Sequence, residues 1–215
     1  MGWHFESLID RLSGQLQSGP DLLADVLLAD SLPIIPFYRP ATAKVGLTLA
    51  DKGYSRSGVL ATKKLWYHGM NRTADAVAPA QHRPPGPAAL PRHGQFTPAS
   101  VNDLPVLRQQ PPALVAVVAD KAYGDASLKA QLVAQQQVLL HTPPEKAKEA
   151  SRVDAADRLY SIYVSWMRQP IESLFKWLIK QVGLQDGSRI RSEKGVWLRG
   201  FGRLAAGLYI LAFYS

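Results

Sequence analysis

One stretch of the chain limits the fold more than any other. Between Leu114 and Tyr123, a run rich in valine and alanine ends in a polar Asp-Lys pair, LVAVVADKAY. Such a run is typical of a buried parallel strand, with polar residues following where the strand reaches the functional edge of its sheet. The stretch therefore predicts a buried strand that ends at Asp120.

The remaining apolar patterns predict helices and further strands around this one. Helical spacing predicts an N-terminal helix from Trp3 to Leu16, which Gly19-Pro20 ends. The other predicted elements are the strands Val26–Ser31, Leu65–His68 and Val138–His141 and the helices Ala126–Gln137, Ala156–Val182 (with Pro170 as a kink or a fresh start) and Val196–Phe213. This order predicts an α/β domain with a mixed sheet flanked by helices.

The composition and the charge exclude several classes of protein. The 215 residues include no cysteine, which excludes a disulfide framework and a thiolate zinc site, and 47% are hydrophobic, which excludes a wholly disordered chain. Lysine and arginine number 25 against 17 acidic residues, which gives a net charge of +8. A nucleic-acid partner and a merely basic soluble protein explain this charge equally well. No secretory signal begins the chain, and Leu204–Tyr214 is too short to span a bilayer, so we expect no membrane partner and a cytoplasmic location.

Prolines are concentrated in the middle of the chain. Nine of the 16 lie between Pro79 and Pro112. Such a density disfavours regular structure and predicts an exposed, disordered insert at about residues 70–95. We therefore expect a short helical segment over residues 1–23, followed by one main domain over residues 24–215 that contains this insert.

Three acidic residues lie on predicted apolar elements: Asp30 and Asp120 near the ends of strands, and Glu172 within an apolar helix. A buried carboxylate is costly unless it is paired or binds a metal. Together the three would form a hard oxygen site for Mg²⁺ or Mn²⁺, ions that activate water at a phosphodiester. Each also has a purely structural alternative. Asp30 can cap a turn, and Asp120 can cap a helix. Glu172 can pair with Arg168 or Lys176, one turn away on either side.

The helix that carries Glu172 also carries a line of basic residues. Arg168, Lys176 and Lys180 recur with Glu172 at every fourth position, so the four share one helix face. Cations beside a metal-binding carboxylate suit a track for the phosphate backbone of DNA. Without Glu172, a solvated helix face is the simpler interpretation. The five histidines show no metal-ligand spacing, and the chain has no phosphate loop or nucleophile elbow.

Six segments follow one another in the order known from one family. They are ADSLPI around Asp30, KKLWYHG (63–69), FTPASVNDLPVL (96–107), VADKAYGD (118–125), RQPIESLFKWLIK (168–180) and RGFGRLAAGLYIL (199–211). On these segments, the chain resembles DDE-type insertion-sequence transposases of the IS4-like group, most closely the IS982 branch. Together the segments cover most of residues 25–214.

The resemblance implies a fold and a reaction. The fold is a ribonuclease H-like mixed sheet flanked by helices, in which Asp30, Asp120 and Glu172 bind Mg²⁺ or Mn²⁺ as the catalytic triad. In the implied reaction, water attacks the phosphodiester at the ends of the element, and the freed 3′-hydroxyl then attacks target DNA. The chain would thus be a metal-dependent DNA transposase.

The resemblance also implies partners. Arg168, Lys176 and Lys180 would hold the strand of double-stranded DNA at the element ends and at the target. The family further implies a homodimer and association with the nucleoid.

Departures from the family pattern define the alternatives. Only about thirty residues precede Asp30, so we expect an N-terminally short protein that lacks the family's helical DNA-binding region. Asp51, in LADKGY, matches the second-aspartate motif as well as Asp120 does, but Asp120 follows the stronger strand and leaves room for a helix and a strand before Glu172. The main alternative is a catalytically dead, DNA-binding remnant; another is a related nuclease that cuts without joining.

Overall fold

The computed structural model describes residues 2–17, 22–37, 56–60, 65–79, 89–98, 107, 116–144, 154–186 and 192–214. The strands are β1 (Leu22–Phe37), β2 (Arg56–Leu60), β3 (Leu65–Pro79), β4 (Leu90–Pro98), β5 (Ala116–Ala119) and β6 (Leu139–His141). The helices are α1 (Gly2–Gln17), α2 (Ala126–Gln136), α3 (Ala155–Val182), α4 (Glu193–Val196) and α5 (Gly202–Tyr214), with a 3₁₀ turn at Lys121–Tyr123 and a π-helical turn at Trp197–Phe201. Within these residues, no helix is both long and apolar enough to cross a membrane.

The six described strands form one mixed sheet. Its order is β2-β3-β1-β5-β6, and β4 pairs with β3 beyond the point where β2 ends. β1 is antiparallel to β3 and parallel to β5, and β5 is parallel to β6. The predicted α/β class, a mixed sheet flanked by helices, is therefore confirmed.

Alternation along the central strands separates two apolar layers. Leu28 of β1 and Val118 of β5 belong to the layer that includes α1, α3 and α5. Leu27 and Val117 belong to the opposite layer, together with Leu128 of α2. Because successive strand residues point to opposite faces, even-numbered positions of β1 and β5 face α3, and odd-numbered positions face α2. Helices thus cover both faces of the sheet.

α3 is the long helix over the site, and it continues through Pro170 as one helix. The fresh start that the sequence offered at Pro170 is not found. Ile171 and its buried neighbours pack on the sheet, which holds the helix together where the proline lacks an N–H. At the end of α3, Gly183 takes the left-handed conformation with φ 61°, the usual conformation of a C-capping glycine. Arg203 donates hydrogen bonds to the carbonyls of Gly183 and Asp186, which ties α5 to this helix end.

The structure corrects the insert predicted at residues 70–95. Residues 70–79 belong to β3 and Leu90–Pro98 form β4, whereas residues 80–88 lie outside the described part of the chain. Among the described strands, β4 pairs only with β3. It is therefore an edge strand there, and an edge strand tolerates proline because the missing N–H can face the open side. Proline density misled the prediction because it does not distinguish a loop from an edge strand.

The contact between α5 and α3 makes a prediction about two glycines. A Cβ at Gly207 would lie 2.6 Å from Cδ2 of Leu178, whose side chain is only 2% exposed and has little room to move. Gly207→Ala is expected to lower the free energy of unfolding by about 1 kcal/mol, because overpacking outweighs the gain in helix propensity. Urea denaturation measures the change.

Gly14 is the matched control within α1. A Cβ at Gly14 would meet no atom within 4 Å, so Gly14→Ala is expected to stabilise the protein by about 0.5–1 kcal/mol. If Gly207→Ala stabilises the protein as Gly14→Ala does, the close approach of α5 to α3 at Gly207 is contradicted.

Candidate functional site

Asp30 and Asp120 lie side by side on neighbouring parallel strands. In the register of β1 and β5, Ala29 is opposite Ala119, so the next positions along the two strands are Asp30 and Asp120. Adjacent strands lie about 4.8 Å apart. Both aspartates occupy even-numbered positions and therefore project from the face that α3 covers. The fold thus brings together two of the three acidic residues that the sequence singled out.

α3 supplies a cation that reaches both carboxylates. Nη2 of Arg168 donates a hydrogen bond of 2.8 Å to Oδ2 of Asp30, and Nη1 lies 3.7 Å from Oδ1 of Asp120. The side chains of Arg168 and Asp30 are only 13% and 19% exposed, whereas that of Asp120 is 44% exposed. The sequence assigned Arg168 to the exposed DNA-binding line; in the structure its guanidinium is engaged by the two aspartates.

The surroundings of Asp30 disfavour its charge. Burial raises the pKa of the Asp30 carboxyl above the usual aspartate value, and the nearby charge of Asp120 acts in the same direction. The charge of Arg168 and the hydrogen bond from the backbone N–H of Ser31, at 2.9 Å, lower this pKa without cancelling the effect of burial. A second cation at this place would favour the charged form of Asp30 further.

The raised pKa of Asp30 predicts how stability depends on pH. The folded protein holds the Asp30 proton more tightly than the unfolded chain does. The stability that this proton contributes is complete below the ordinary aspartate pKa of about 3.8 and is lost as the pH rises through the raised pKa of the folded state. The Asp30→Asn variant lacks this loss, so its free energy of unfolding should rise relative to that of the wild type as the pH increases.

Urea denaturation in EDTA at a series of pH values measures this difference. Other titrating groups are common to both proteins, so they cancel in the comparison. If the free energy of unfolding of the wild type instead rises relative to that of Asp30→Asn with increasing pH, a raised pKa at Asp30 is contradicted.

Asp120 also has a local role. Its Oδ1 accepts a hydrogen bond of 2.6 Å from the backbone N–H of Lys121, so Asp120 caps the 3₁₀ turn that follows β5. Tyr123, at the end of that turn, is buried in the layer under α2. The capping role considered from the sequence is thus present beside the contact with Arg168, and it fixes the backbone that carries this carboxylate.

Glu172 lies one turn beyond Arg168 on α3, about 6 Å further along the helix axis. It is partly buried, and the part of the chain that the structure describes contains no ion pair of Glu172 with Arg168 or Lys176. Over the same residues, no three acidic or histidine side chains lie close enough together to hold a metal ion. Glu172 is therefore on the helix that covers the two aspartates but outside their immediate cluster.

The two lysines of the predicted DNA-binding line remain at the surface. Lys176 and Lys180 are both exposed on the second half of α3. Residues at this spacing lie on one side of a helix, so the two ammonium groups continue the line that begins at Glu172. This side of α3 therefore carries positive charge about 12 Å and 18 Å beyond Arg168 along the helix axis.

One polar pair near the site was not singled out from the sequence. His141, the last residue of β6, lies with its Nδ1 2.9 Å from the hydroxyl of Tyr160 on α3. Parallel β5 and β6 end at the same edge of the sheet, so this pair belongs to the edge that carries Asp120. A histidine at the end of the predicted strand Val138–His141 was the available signal, but the spacing between histidines does not reveal a pair formed by a histidine and a tyrosine.

The arrangement combines oxygen ligands with an electrostatic preference for cations. Two carboxylates converge on one guanidinium, and a third carboxylate without an ion pair among the described residues lies one turn away. Carboxylate oxygens are the ligands that Mg²⁺ and Mn²⁺ prefer. Comparisons with models of protein families, with curated proteins and with solved structures found no match to this chain.

Proposed function

We propose that this chain is the catalytic domain of a DDE-type DNA transposase, acting on double-stranded DNA in the cytoplasm in association with the nucleoid. Its reaction is metal-dependent phosphodiester hydrolysis followed by strand transfer at insertion-sequence ends. The observation that carries the proposal is the pair Asp30 and Asp120, on adjacent positions of parallel strands and on the face covered by the helix that carries Glu172.

The strand order supports the ribonuclease H-like part of the proposal. A central strand, β1, carries the first aspartate between an antiparallel side, β3 with β4, and a parallel side, β5 with β6. The second aspartate follows β5 directly. This order is the one expected if the resemblance in the sequence reflects a common fold.

The chemistry of the donor set suits a divalent metal ion, although the three side chains are not gathered around one point in the described residues. Asp30, Asp120 and Glu172 would hold Mg²⁺ or Mn²⁺, which when bound activates water and stabilises the leaving oxygen of the phosphodiester. The fit rests on the chemistry of these side chains: two carboxylates already share one cation, and the partly buried Glu172 has no ion pair in the described residues. The buried Nε of Arg168 has no hydrogen-bond partner either, so a donor remains for an anionic oxygen.

The rest of α3 would position the DNA. Lys176 and Lys180 are exposed on the helix that carries Arg168 and Glu172, and exposed ammonium groups bind backbone phosphates without regard to base sequence. Each phosphate contact contributes about 0.9 to the slope of the logarithm of affinity against the logarithm of salt concentration. Their role is thus to hold the strand, while the carboxylates act on the bond.

One observation favours the alternative of a catalytically dead, DNA-binding remnant. The guanidinium of Arg168 lies between Asp30 and Asp120 and neutralises them, at the place where a catalytic cation would bind. If Arg168 stays there when DNA and metal are present, the chain binds DNA without cutting it.

A cleavage assay separates the two functions. Purified protein is incubated with supercoiled plasmid in Mg²⁺, Mn²⁺ or EDTA, alongside Glu172→Gln and the control Asp157→Asn, an exposed acid on the same helix. We expect nicking that requires metal, disappears in Glu172→Gln and persists in Asp157→Asn. Joined products on a substrate with element ends distinguish a transposase from a nuclease that only cuts. DNA binding without any cleavage supports the remnant.

A further inference from the structure

Four aromatic side chains lead from the edge of the sheet to the outer side of α3. They belong to His141, the last residue of β6, and to Tyr160, Tyr163 and Trp166 of α3, and we call them the aromatic ladder. The three helical residues are spaced three positions apart, so each is a neighbour of the next on the helix surface, about 4.5 Å further along the axis. The ladder therefore winds from the side of α3 that meets the sheet to the side that faces away from it.

Contacts between the rings hold the inner part of the ladder in place. The hydroxyl of Tyr160 lies 2.9 Å from Nδ1 of His141, and the two ring centroids are 6.2 Å apart. The rings of Tyr160 and Tyr163 are stacked with their centroids 6.5 Å apart, within the range in which aromatic pairs are favourable. The exposed fraction rises from 38% at Tyr160 through 49% at Tyr163 to 66% at Trp166. The ladder is thus fixed at the sheet and open to a partner at its outer end.

The inner end of the ladder adjoins the candidate site. Val118 of β5 is opposite His141 of β6, and Asp120 lies two residues beyond Val118. Neighbouring strands are about 4.8 Å apart and each residue adds about 3.3 Å, so the Cα atoms of Asp120 and His141 are about 8 Å apart. A molecule bound at Asp120 can therefore extend directly onto the ladder.

The chemistry of the ladder suits nucleobases. Each ring combines an apolar face with a polar edge: an imidazole nitrogen, a phenolic hydroxyl or an indole N–H. Nucleobases have the same combination, and unpaired bases stack on aromatic side chains of this kind. In a duplex, the faces of the bases are covered by one another, so only an unpaired strand can present them to the ladder.

The charges on α3 are compatible with an anionic strand. Apart from the ladder itself, the α3 residues three or four positions from Tyr163 or Trp166 are all uncharged: Leu159, Ile162, Met167, Gln169 and Pro170. Asp157 adjoins Tyr160 only. No carboxylate of α3 is therefore a helix neighbour of the two most exposed rings, and the chain as a whole carries a net charge of +8, which attracts a nucleic acid.

We propose that the aromatic ladder binds the unpaired bases of single-stranded DNA next to the phosphodiester held at Asp30 and Asp120. Stacking of this kind tolerates any base, and every stacked base adds to the affinity. The inference takes DNA as the partner from the proposed function but does not depend on cleavage. It requires that the chain bind DNA with an unpaired end more tightly than fully paired DNA.

Fluorescence anisotropy of the full chain, in EDTA so that no DNA is cut, tests this requirement. A forked duplex with two unpaired arms is compared with a fully paired duplex that contains the same paired sequence. We expect the forked DNA to bind at least about fivefold more tightly, which is the lower limit for one stacked base. Trp166→Leu keeps an apolar side chain without a ring and should remove most of this preference, whereas Trp166→Phe should retain it. The control Phe213→Leu, which alters an exposed aromatic on α5, should leave it unchanged.

Two further readouts separate base stacking from phosphate binding. In Trp166→Leu, the slope of the logarithm of affinity against the logarithm of salt concentration should stay as in the wild type, because stacking releases no counterions. In Lys176→Met, the slope should fall by about 0.7–0.9, the value for one lost phosphate contact. A 2-aminopurine base in an unpaired arm should lose fluorescence on binding the wild type, since stacking on a ring quenches it, and should stay bright with Trp166→Leu. Circular dichroism checks that each variant is folded, as expected for exposed side chains.

Each result bears on the ladder and on the proposed function separately. Equal affinity for forked and paired DNA, or a preference that Trp166→Leu retains or Phe213→Leu removes, overturns the ladder and leaves the proposed function standing. If Trp166→Leu changes only the self-association of the chain, the outer rings belong to a protein interface and the proposal is wrong. A chain that binds neither DNA contradicts both proposals. A preference that depends on Trp166 in a chain that cuts no plasmid supports the ladder and favours the remnant.

Discussion

The Asp120→Asn variant is expected to lower metal-dependent DNA cleavage by more than about a hundredfold. Losing a residue that only orients a metal ligand lowers activity by up to about a hundredfold, and we expect the loss of a ligand itself to exceed that. The substitution removes one of two adjacent carboxylates and with it a charge that attracts the metal. Its effect on folding should be small, within about 1 kcal/mol, because asparagine can accept the capping hydrogen bond from the N–H of Lys121. Plasmid nicking and urea denaturation measure the two quantities separately.

Two further variants test whether the loss of cleavage is specific to Asp120. Asp125→Asn alters the aspartate that caps α2 through Leu128 and Ser127, five residues beyond Asp120. It should retain cleavage, because Asp125 takes part in capping and not in the contact with Arg168. Asp51→Asn tests the second match to the aspartate motif, which lies outside the described residues. If cleavage is lost with Asp51→Asn and kept with Asp120→Asn, the site is assigned to the wrong aspartate.

The Arg168→Met variant is expected to destabilise the metal-free protein by about 3 kcal/mol, because it leaves the buried Asp30 carboxyl without its partner. Methionine retains much of the apolar packing of the arginine side chain, so the change reports mainly the lost charge. Removal of the guanidinium should also raise the affinity for Mn²⁺ by about tenfold or more, since the two carboxylates then lose the positive charge that lies 2.8 Å from Asp30 and 3.7 Å from Asp120. Urea denaturation in EDTA and in Mn²⁺ measures both effects.

Lys176→Met is the control on the same helix. Lys176 is exposed, so its loss should change stability by no more than about 0.5 kcal/mol and should not alter the stabilisation by Mn²⁺. If Mn²⁺ stabilises Arg168→Met no more than the wild type, then Arg168 and the metal do not compete for the same carboxylates. If Mn²⁺ stabilises neither protein, the metal site itself is contradicted and the remnant is favoured.

Local patterns in the sequence account for most of the described elements. The valine-rich run before Asp120 forms β5, and the apolar run before Asp30 forms part of the longer β1. The helix predicted over Ala126–Gln137 agrees with α2 to within one residue. These predictions succeed because the burial of one face makes apolar residues recur with a period of two in a strand and of 3.6 in a helix, and a strand buried on both faces is a continuous apolar run.

Other features depend on partners that are remote in the chain. Residues 90–98 pair with β3 as an edge strand, which their proline content did not indicate. The continuity of α3 through Pro170 depends on packing against the sheet. Neither can be read from a local window, because the stabilising contact lies elsewhere in the sequence.

The sequence by itself determined which carboxylates stand on apolar elements: Asp30 and Asp120 near the ends of strands, and Glu172 within a helix. Only the tertiary structure decided that the parallel register sets these two side by side and that Arg168, more than a hundred residues after Asp30, fills the space between them. The reason is physical. Alternation is a property of each strand alone, whereas register and the choice of counter-ion arise when separate elements pack and a buried charge must find its partner.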